Sequence, residues 1–189
     1  MTRYIADADF DPAVFAGASC AFGVFDGLHR GHRHLIDRAL ATAEDGRSCI
    51  ITFDIDPDEV FHPDRLSKLM SNDERLEALQ GAGARDLVVL PFAPQLYTLQ
   101  PRAFLDSLFG GCPPAHLHVG EDFRFGAKAA GTVEDLRLWA ADPARGAGAM
   151  EVHAHPLLSD DGAPITATRI RLLLQEGKTA EARKLLGHA

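Results

Sequence analysis

The sequence is poor in cysteine, short of positive charge and free of long apolar runs. Its three cysteines, Cys20, Cys49 and Cys112, are odd in number and widely spaced among 189 residues. That spacing fits neither a disulfide framework nor a zinc ribbon, and it suits a reducing cytoplasm. Lys and Arg number 19 against 27 Asp and Glu, a formal net charge of −8. Such a chain lacks the overall positive field of a sequence-independent nucleic-acid binder, although a local pocket can still hold an anion. No apolar run approaches the ~18 residues of a membrane span. The first ten residues are broken by Arg3, Asp7 and Asp9, so no secretory leader is expected there. Repeats and low-complexity tracts are missing, and the loosest stretches, 141–148 and 159–164, have the length of loops. Neither a Gly-Lys-Ser/Thr phosphate loop nor Gly-x-Gly-x-x-Gly occurs, which removes the main support for P-loop kinases and dinucleotide-binding dehydrogenases.

What remains is an ordinary globular composition, 46% hydrophobic and 24% charged. The length predicts one domain over residues 1–189, with a core that needs no staples. Segments at 18–25, 48–53, 86–92, 116–119 and 150–155 predict five strands, the first an apolar run and the first two buried. Between them, His32, Leu35, Ile36, Ala39, Leu40 and Ala43 fall on one helical face, and that helix is expected to stop near Gly46. Ser71 and Glu74 form a capping box that opens a helix to Gly81. Pro101 starts another to about Phe109, and Thr132 caps one to about Ala141. Thr166 or Thr168 opens a helix ending near Gly177, and Thr179 opens the last. This alternation predicts an α/β fold, a doubly wound and mostly parallel sheet with helices on both faces. Ligands of such sheets sit outside the carboxyl ends of the strands, so the strand-to-helix turns are the places to read.

The first such turn is Gly23-Val-Phe25-Asp26-Gly-Leu-His29-Arg-Gly31-His32. A glycine-punctuated turn feeding a helix start offers free backbone N–H groups and the positive end of a dipole, which suits phosphate. His29 and His32 add imidazole donors, and Gly31 leaves the approach open. The same two histidines could face one metal ion, but catalytic zinc wants three protein ligands, and no third is spaced to join them. No metal ligands are therefore expected in this turn. A lone histidine on an apolar helix face is more often a satisfied core residue; the pair at a turn is what argues for chemistry.

Two later motifs lie on the same sheet edge. Gly120-Glu-Asp122-Phe123-Arg-Phe125-Gly126 follows a strand and offers two ring faces for stacking a flat heterocycle and a carboxylate for ring N–H groups. At least one of the two phenylalanines is expected to fill the core instead. Ile165-Thr-Ala-Thr168-Arg169-Ile-Arg171 sets hydroxyls at a helix start and two cations in its first turns. Cations at that end of a helix are disfavoured unless an anion joins them, and Arg171 can fork onto a phosphate.

Together these motifs make the chain resemble the nucleotidyltransferases with the His-x-Gly-His signature, and within them the adenylyltransferase module of prokaryotic FAD synthetases. The matching stretches are 23–32, 52–57, 119–126, 165–171 and 182–187, nearly the full length. The resemblance implies a Rossmann-like fold and transfer of AMP from ATP, with Mg2+, to FMN, giving FAD and pyrophosphate. It implies catalytic roles for His29, His32 and Arg171. Gly23, Phe25, Asp26, Gly31, Thr168 and Arg169 are implied at the nucleotide, and Asp122, Phe123, Phe125 and Asp56 at the flavin side. Small molecules are the expected partners, with no nucleic acid or membrane, in a cytoplasmic monomer or weak homo-oligomer. The bifunctional members continue into a riboflavin kinase domain; the sequence stops at Ala189, so riboflavin phosphorylation is not expected.

The sequence also departs from the resembled pattern. Ile55-Asp56-Pro57 stands where Pro-His-Pro is common, Thr166-Ala167-Thr168 replaces Ser-Ser-Thr, and Ala129 replaces an arginine beside Lys128. Each change removes a donor or adds negative charge. Another phosphorylated acceptor, or a role as a flavin or nucleotide sensor with little turnover, stays open at this point. Asp56 beside Asp58 and Glu59 is expected on an exposed acidic loop, ionised and turned to solvent or a cation.

Overall fold

A computed structural model describes residues 1–64, 67–143 and 150–187. In chain order the main elements are β1 (Thr2–Ile5), β2 (Ser19–Phe22), α1 (Arg30–Ala41), β3 (Ser48–Phe53), α2 (Pro57–Phe61), α3 (Asn72–Gln80), β4 (Asp86–Leu90), α4 (Pro94–Tyr97), α5 (Pro101–Phe109), β5 (His116–Gly120) and α6 (Val133–Ala140). Then come β6 (Glu151–His155), β7 (Ser159–Asp160), β8 (Ala163–Pro164), α7 (Ala167–Gln175) and α8 (Thr179–Leu186).

The main sheet has the order β1-β4-β3-β2-β5-β6, and every neighbouring pair is parallel. The five expected strands are β2 to β6, of which β6 forms a half-exposed edge, and the all-parallel pairing agrees with the α/β reading. From β2 the chain winds outward through β3 and β4, then returns to the other side through β5 and β6. The carboxyl ends of β2 and β5 therefore form the topological switch point where such sheets bind ligands.

Alternation along the strands separates two cores. Cys20, Phe22, Cys49, Ile51, Val88 and Leu117 face α5 and α6, where Phe104, Leu108, Leu136 and Trp139 cover them. Ala21, Ile50, Leu87 and Val89 face α1 and α3, under Leu35, Ile36, Ala39, Leu76 and Leu79. A third, small cluster of Ile165, Ile170, Ala182 and Leu185 holds α7 and α8 together.

Several elements depart from expectation. Strand β1, Thr-Arg-Tyr-Ile, is mostly polar and lies at the sheet edge, so it shows no buried apolar run. Helix α1 ends at Ala41, capped by Thr42, and the stretch near Gly46 is a separate short turn at Glu44–Gly46. The expected loop at 159–164 is a minimal antiparallel hairpin of β7 and β8. The expected loop at 141–148 lies largely outside the described residues. The helices at 71–81, 101–109 and 132–141 form with the caps the sequence names: Ser71 and Thr132 each complete a capping box, and Pro101 opens α5.

Candidate active site

The turn after β2 is built under strain. Phe25 and Leu28 sit in the left-handed region at φ 63° and 38°, and Gly27 between them at φ 72°. A non-glycine residue there costs on the order of 1–3 kcal/mol, and it persists only where the surroundings fix it. Here both side chains are fully buried. Phe25 packs edge-on against His32, with ring centroids 5.4 Å apart. It therefore holds the turn while also lining the cleft on which the histidines open.

His29 is the N-cap of α1, and its Nδ1 accepts the backbone N–H of His32 at 3.3 Å. With Nδ1 used as an acceptor, the neutral ring carries its proton on Nε2. The two imidazoles stack at 3.6 Å between centroids, 17° from coplanar. Burial pushes the His29 pKa down to about 4, with Asp26 opposing and Arg171 adding to the fall. Burial, then His29, drives His32 well below its ordinary value. Both rings are thus neutral at pH 7, and His32 Nδ1 is buried without a hydrogen-bond partner. Gly31 makes the stack possible: a Cβ there would meet the His29 ring at 3.2 Å.

These rings open on a cleft of about 310 Å3 at the carboxyl ends of β2, β5 and β6. Gly23, Asp122, Phe123, His34, His155 and Thr166 also line it. Gly120 lets Asp122 fold back, since a Cβ would lie 2.7 Å from Asp122 Oδ1. Phe123 is half-buried and borders the cleft. Phe125 is 4% exposed and packs at a tilt against Phe104 in the core. Of the two rings expected on the flavin, it is the one that fills the interior. His34 and His155 were missed by the sequence reading. His155 carried a signal, because it ends β6 on the ligand-binding edge.

Asp26 ties three segments at the bottom of the turn. Its carboxylate accepts the N–H groups of Leu69 and Met70 at 3.2 Å and receives Arg171 Nη2 at 2.6 Å. Asp26 is thus a brace for the turn, and its carboxylate is occupied. Arg171 Nε is buried without a partner. On its far side Arg171 borders a second cavity of about 310 Å3 with Thr168, Asp58, His62 and Ser67. The histidine pair faces one cavity and Arg171 with Thr168 the other. His62, which follows the short helix α2, was not anticipated.

Arg169 has a different employment from the one expected. Its Nη1 donates to the carbonyls of Asp160, Ala163 and Pro164 at 2.8–3.2 Å, clamping the β7–β8 hairpin to α7. Thr166 is the N-cap, accepting from Arg169 N–H. The conflict of two cations at a helix start is met inside the protein, by hairpin carbonyls for Arg169 and Asp26 for Arg171.

Asp56 also corrects its expectation. It is 8% exposed, not on an open acidic loop, and it caps α2 by accepting from Asp58 N–H at 2.9 Å. Glu59 returns the bond to Asp56 N–H at 3.0 Å, completing a capping box. Burial raises its pKa, against the backbone hydrogen bond that lowers it. An aspartate here is a helix cap first. Beneath it, the fully buried Arg75 donates to the carbonyls of Val24, Phe53 and Asp54 and to Thr52 Oγ1, stitching the ends of β2 and β3 to α3. No sequence pattern announced Arg75, which sits mid-helix among polar residues.

This arrangement has relatives. Bifunctional riboflavin kinase/FMN adenylyltransferases from Listeria monocytogenes and Escherichia coli K12 are each 30% identical, over 172 and 179 residues, or 89% and 91% of this chain. The chain spans about half the length of these relatives, 53% and 55%. A Streptococcus pneumoniae structure described as a macrolide-efflux protein is similar over 92% of this chain and 57% of its own, with 27% identity and a TM-score of 0.73. Pantothenate synthetase from Thermus thermophilus, at 17% identity and a TM-score of 0.53 over 99% of this chain and 81% of its own, shares the fold alone. The FAD synthetase pattern runs through residues 11–169, across both histidines and on to Arg169, and this chain belongs to the FAD synthetase family.

Proposed function

We propose that the chain acts as an FMN adenylyltransferase on small-molecule substrates in the cytoplasm. A phosphate oxygen of FMN attacks the α-phosphorus of ATP; the new O–P bond forms as the bond to the β-phosphate oxygen breaks, releasing pyrophosphate and FAD. Magnesium enters with the nucleotide, keeping several waters. The observation that carries this reading is the stacked His29/His32 pair at the switch-point cleft, buried and unprotonated, with His29 fixed as an Nε2 donor. Preorganised donors in a site largely closed to water stabilise charge that builds on phosphate oxygens.

His29 and His32 serve the α-phosphate. Arg171 and Thr168, across Asp26, take the outer phosphates. Phe123 and Asp122 border the acceptor side, where a flat ring can stack and an N–H can be received. No covalent intermediate is required, so positioning and electrostatics supply the rate. The test is direct: purified protein with FMN, ATP and Mg2+ yields FAD and pyrophosphate, resolved by chromatography of the flavins. Unchanged FMN at high enzyme and long times refutes it. Replacing FMN with other phosphorylated acceptors in the same assay tests the acceptor.

A further inference from the structure

The sheet face under α1 carries a row of side chains that adenylyl transfer does not use. Strand alternation sets His116 and His118 of β5 on that face, together with Glu151, His153 and His155 of β6. In register, His116 lies opposite Glu151 and His118 opposite His153. The four imidazoles form a ladder. His116 Nδ1 is 3.1 Å from His153 Nε2, His153 stacks on His118 at 4.4 Å between centroids, and His118 Nδ1 is 2.9 Å from His155 Nε2. Its top rung, His155, reaches the cleft; its bottom lies at the amino ends of the strands, the opposite edge of the sheet.

At that bottom edge the donor atoms of three side chains converge. Glu151 Oε2 is 3.5 Å from His116 Nδ1, and Glu151 Oε1 is 3.8 Å from His153 Nε2. Ligands about 2.0–2.1 Å from a tetrahedral ion stand roughly 3.3–3.4 Å apart. The 3.1 Å between the two nitrogens, and the 3.5 and 3.8 Å from each nitrogen to a different oxygen of the Glu151 carboxylate, bracket that spacing. The Glu151 side chain is 65% exposed and free to adjust, and the two imidazoles are about a quarter exposed, so a fourth position opens to water.

We propose that His116 Nδ1, His153 Nε2 and the Glu151 carboxylate bind a divalent transition-metal ion of the zinc type. Two imidazoles and one carboxylate suit such an ion better than magnesium or calcium, which prefer all-oxygen sets. Binding requires both nitrogens to present lone pairs, so the imidazole–imidazole hydrogen bond gives way and the protons rest on His116 Nε2 and His153 Nδ1. His118, anchored by Thr42 Oγ1 at 2.8 Å, supports the His153 ring from its face and acts as a positioning residue.

The full chain, stripped with a chelator and titrated with Zn2+ in a non-coordinating buffer, takes up one equivalent that survives gel filtration. At about a hundredfold excess over the dissociation constant the melting temperature rises by roughly 5–10 °C. Glu151→Gln, at a mostly exposed side chain that spares the fold, weakens uptake at least about tenfold. His62→Gln, at an exposed histidine elsewhere, leaves it unchanged. The cobalt form shows visible ligand-field bands without a thiolate charge-transfer band. Substoichiometric uptake by the parent, uptake by Glu151→Gln equal to the parent's, or loss with His62→Gln or Cys112→Ser overturns the proposal.

Discussion

Replacing Asp26 with alanine removes one carboxylate and strands three donors. Leu69 N–H, Met70 N–H and the Arg171 guanidinium all converge on it, and both ionic side chains are largely buried, 7% exposed for Asp26 and 19% for Arg171. Hydrogen bonds to a charged acceptor contribute about 1.5–3 kcal/mol each. Breaking a buried ion pair from one side costs about 3–5 kcal/mol. The two figures describe overlapping losses, so about 4 kcal/mol is expected. For a chain of this size that lowers the melting temperature by roughly 8–16 °C. Asp26→Asn keeps one acceptor oxygen and should lose about half as much. Arg171 then swings free of its anchor, so in the adenylyl-transfer assay the KM for ATP rises more than kcat falls. Thermal unfolding by far-UV circular dichroism and ATP-dependent FAD formation measure the two effects. The double variant Asp26→Ala/Arg171→Ala should lose less than the sum of the singles, with a coupling above about 1 kcal/mol. A melting temperature within about 3 °C of the parent, together with additive singles, would refute the picture of Asp26 as the brace.

Three further outcomes follow from the same geometry. His32→Ala should lose roughly 10²–10³ in turnover while its circular dichroism spectrum is kept; parental turnover would remove its phosphate role. The folded His29 binds protons only near pH 4 against an unfolded value of 6.5, so its contribution to stability is complete above pH 6.5. As pH falls to 4 about 3 kcal/mol is lost, a slope that His29→Asn, which keeps an N-cap acceptor, should flatten in pH-dependent denaturant titrations. Asp56→Ala should cost about 1 kcal/mol as a lost cap, and Asp56→Asn little, with FAD formation by Asp56→Asn near the parent's; a large gain in rate with Asp56→Asn would instead mean that the carboxylate opposes the substrate phosphates.

The parts of the site legible in the sequence are those gathered within one turn. His29, Gly31 and His32 fall in four consecutive positions, and Asp122 and Phe123 in two, so pattern and neighbourhood coincide. Strands β3 and β4 were legible because both faces of a parallel sheet are buried and each carries an apolar run, Ile50-Ile51 and Leu87 to Leu90. Strand β1 was not, since an edge strand with Arg3 and Tyr4 lacks that run. Helices α2 and α4 are single turns too short to show a period, although Pro57 and Pro94 gave the same first-turn signal as Pro101. The pairing of Asp26 with Arg171 joins positions 145 apart. The employment of Arg169 depends on a hairpin of two-residue strands. The histidine ladder exists only through the register of β5 on β6. Tertiary pairings of this kind leave no local trace.

The small cluster beneath α7 and α8 has a consequence for how the protein fails on warming. His29 and His32 rest on the main sheet, whereas Arg171 and Thr168 ride on a helix pair whose buried apolar residues are chiefly Ile165, Ile170, Ala182 and Leu185. Segments with so little buried surface open locally at a fraction of the global free energy. As temperature rises, the grip on the outer phosphates is released while the sheet and its histidines stay folded. Heat inactivation should therefore set in below the unfolding midpoint, reverse on cooling, and be delayed by saturating ATP if the proposed site binds it.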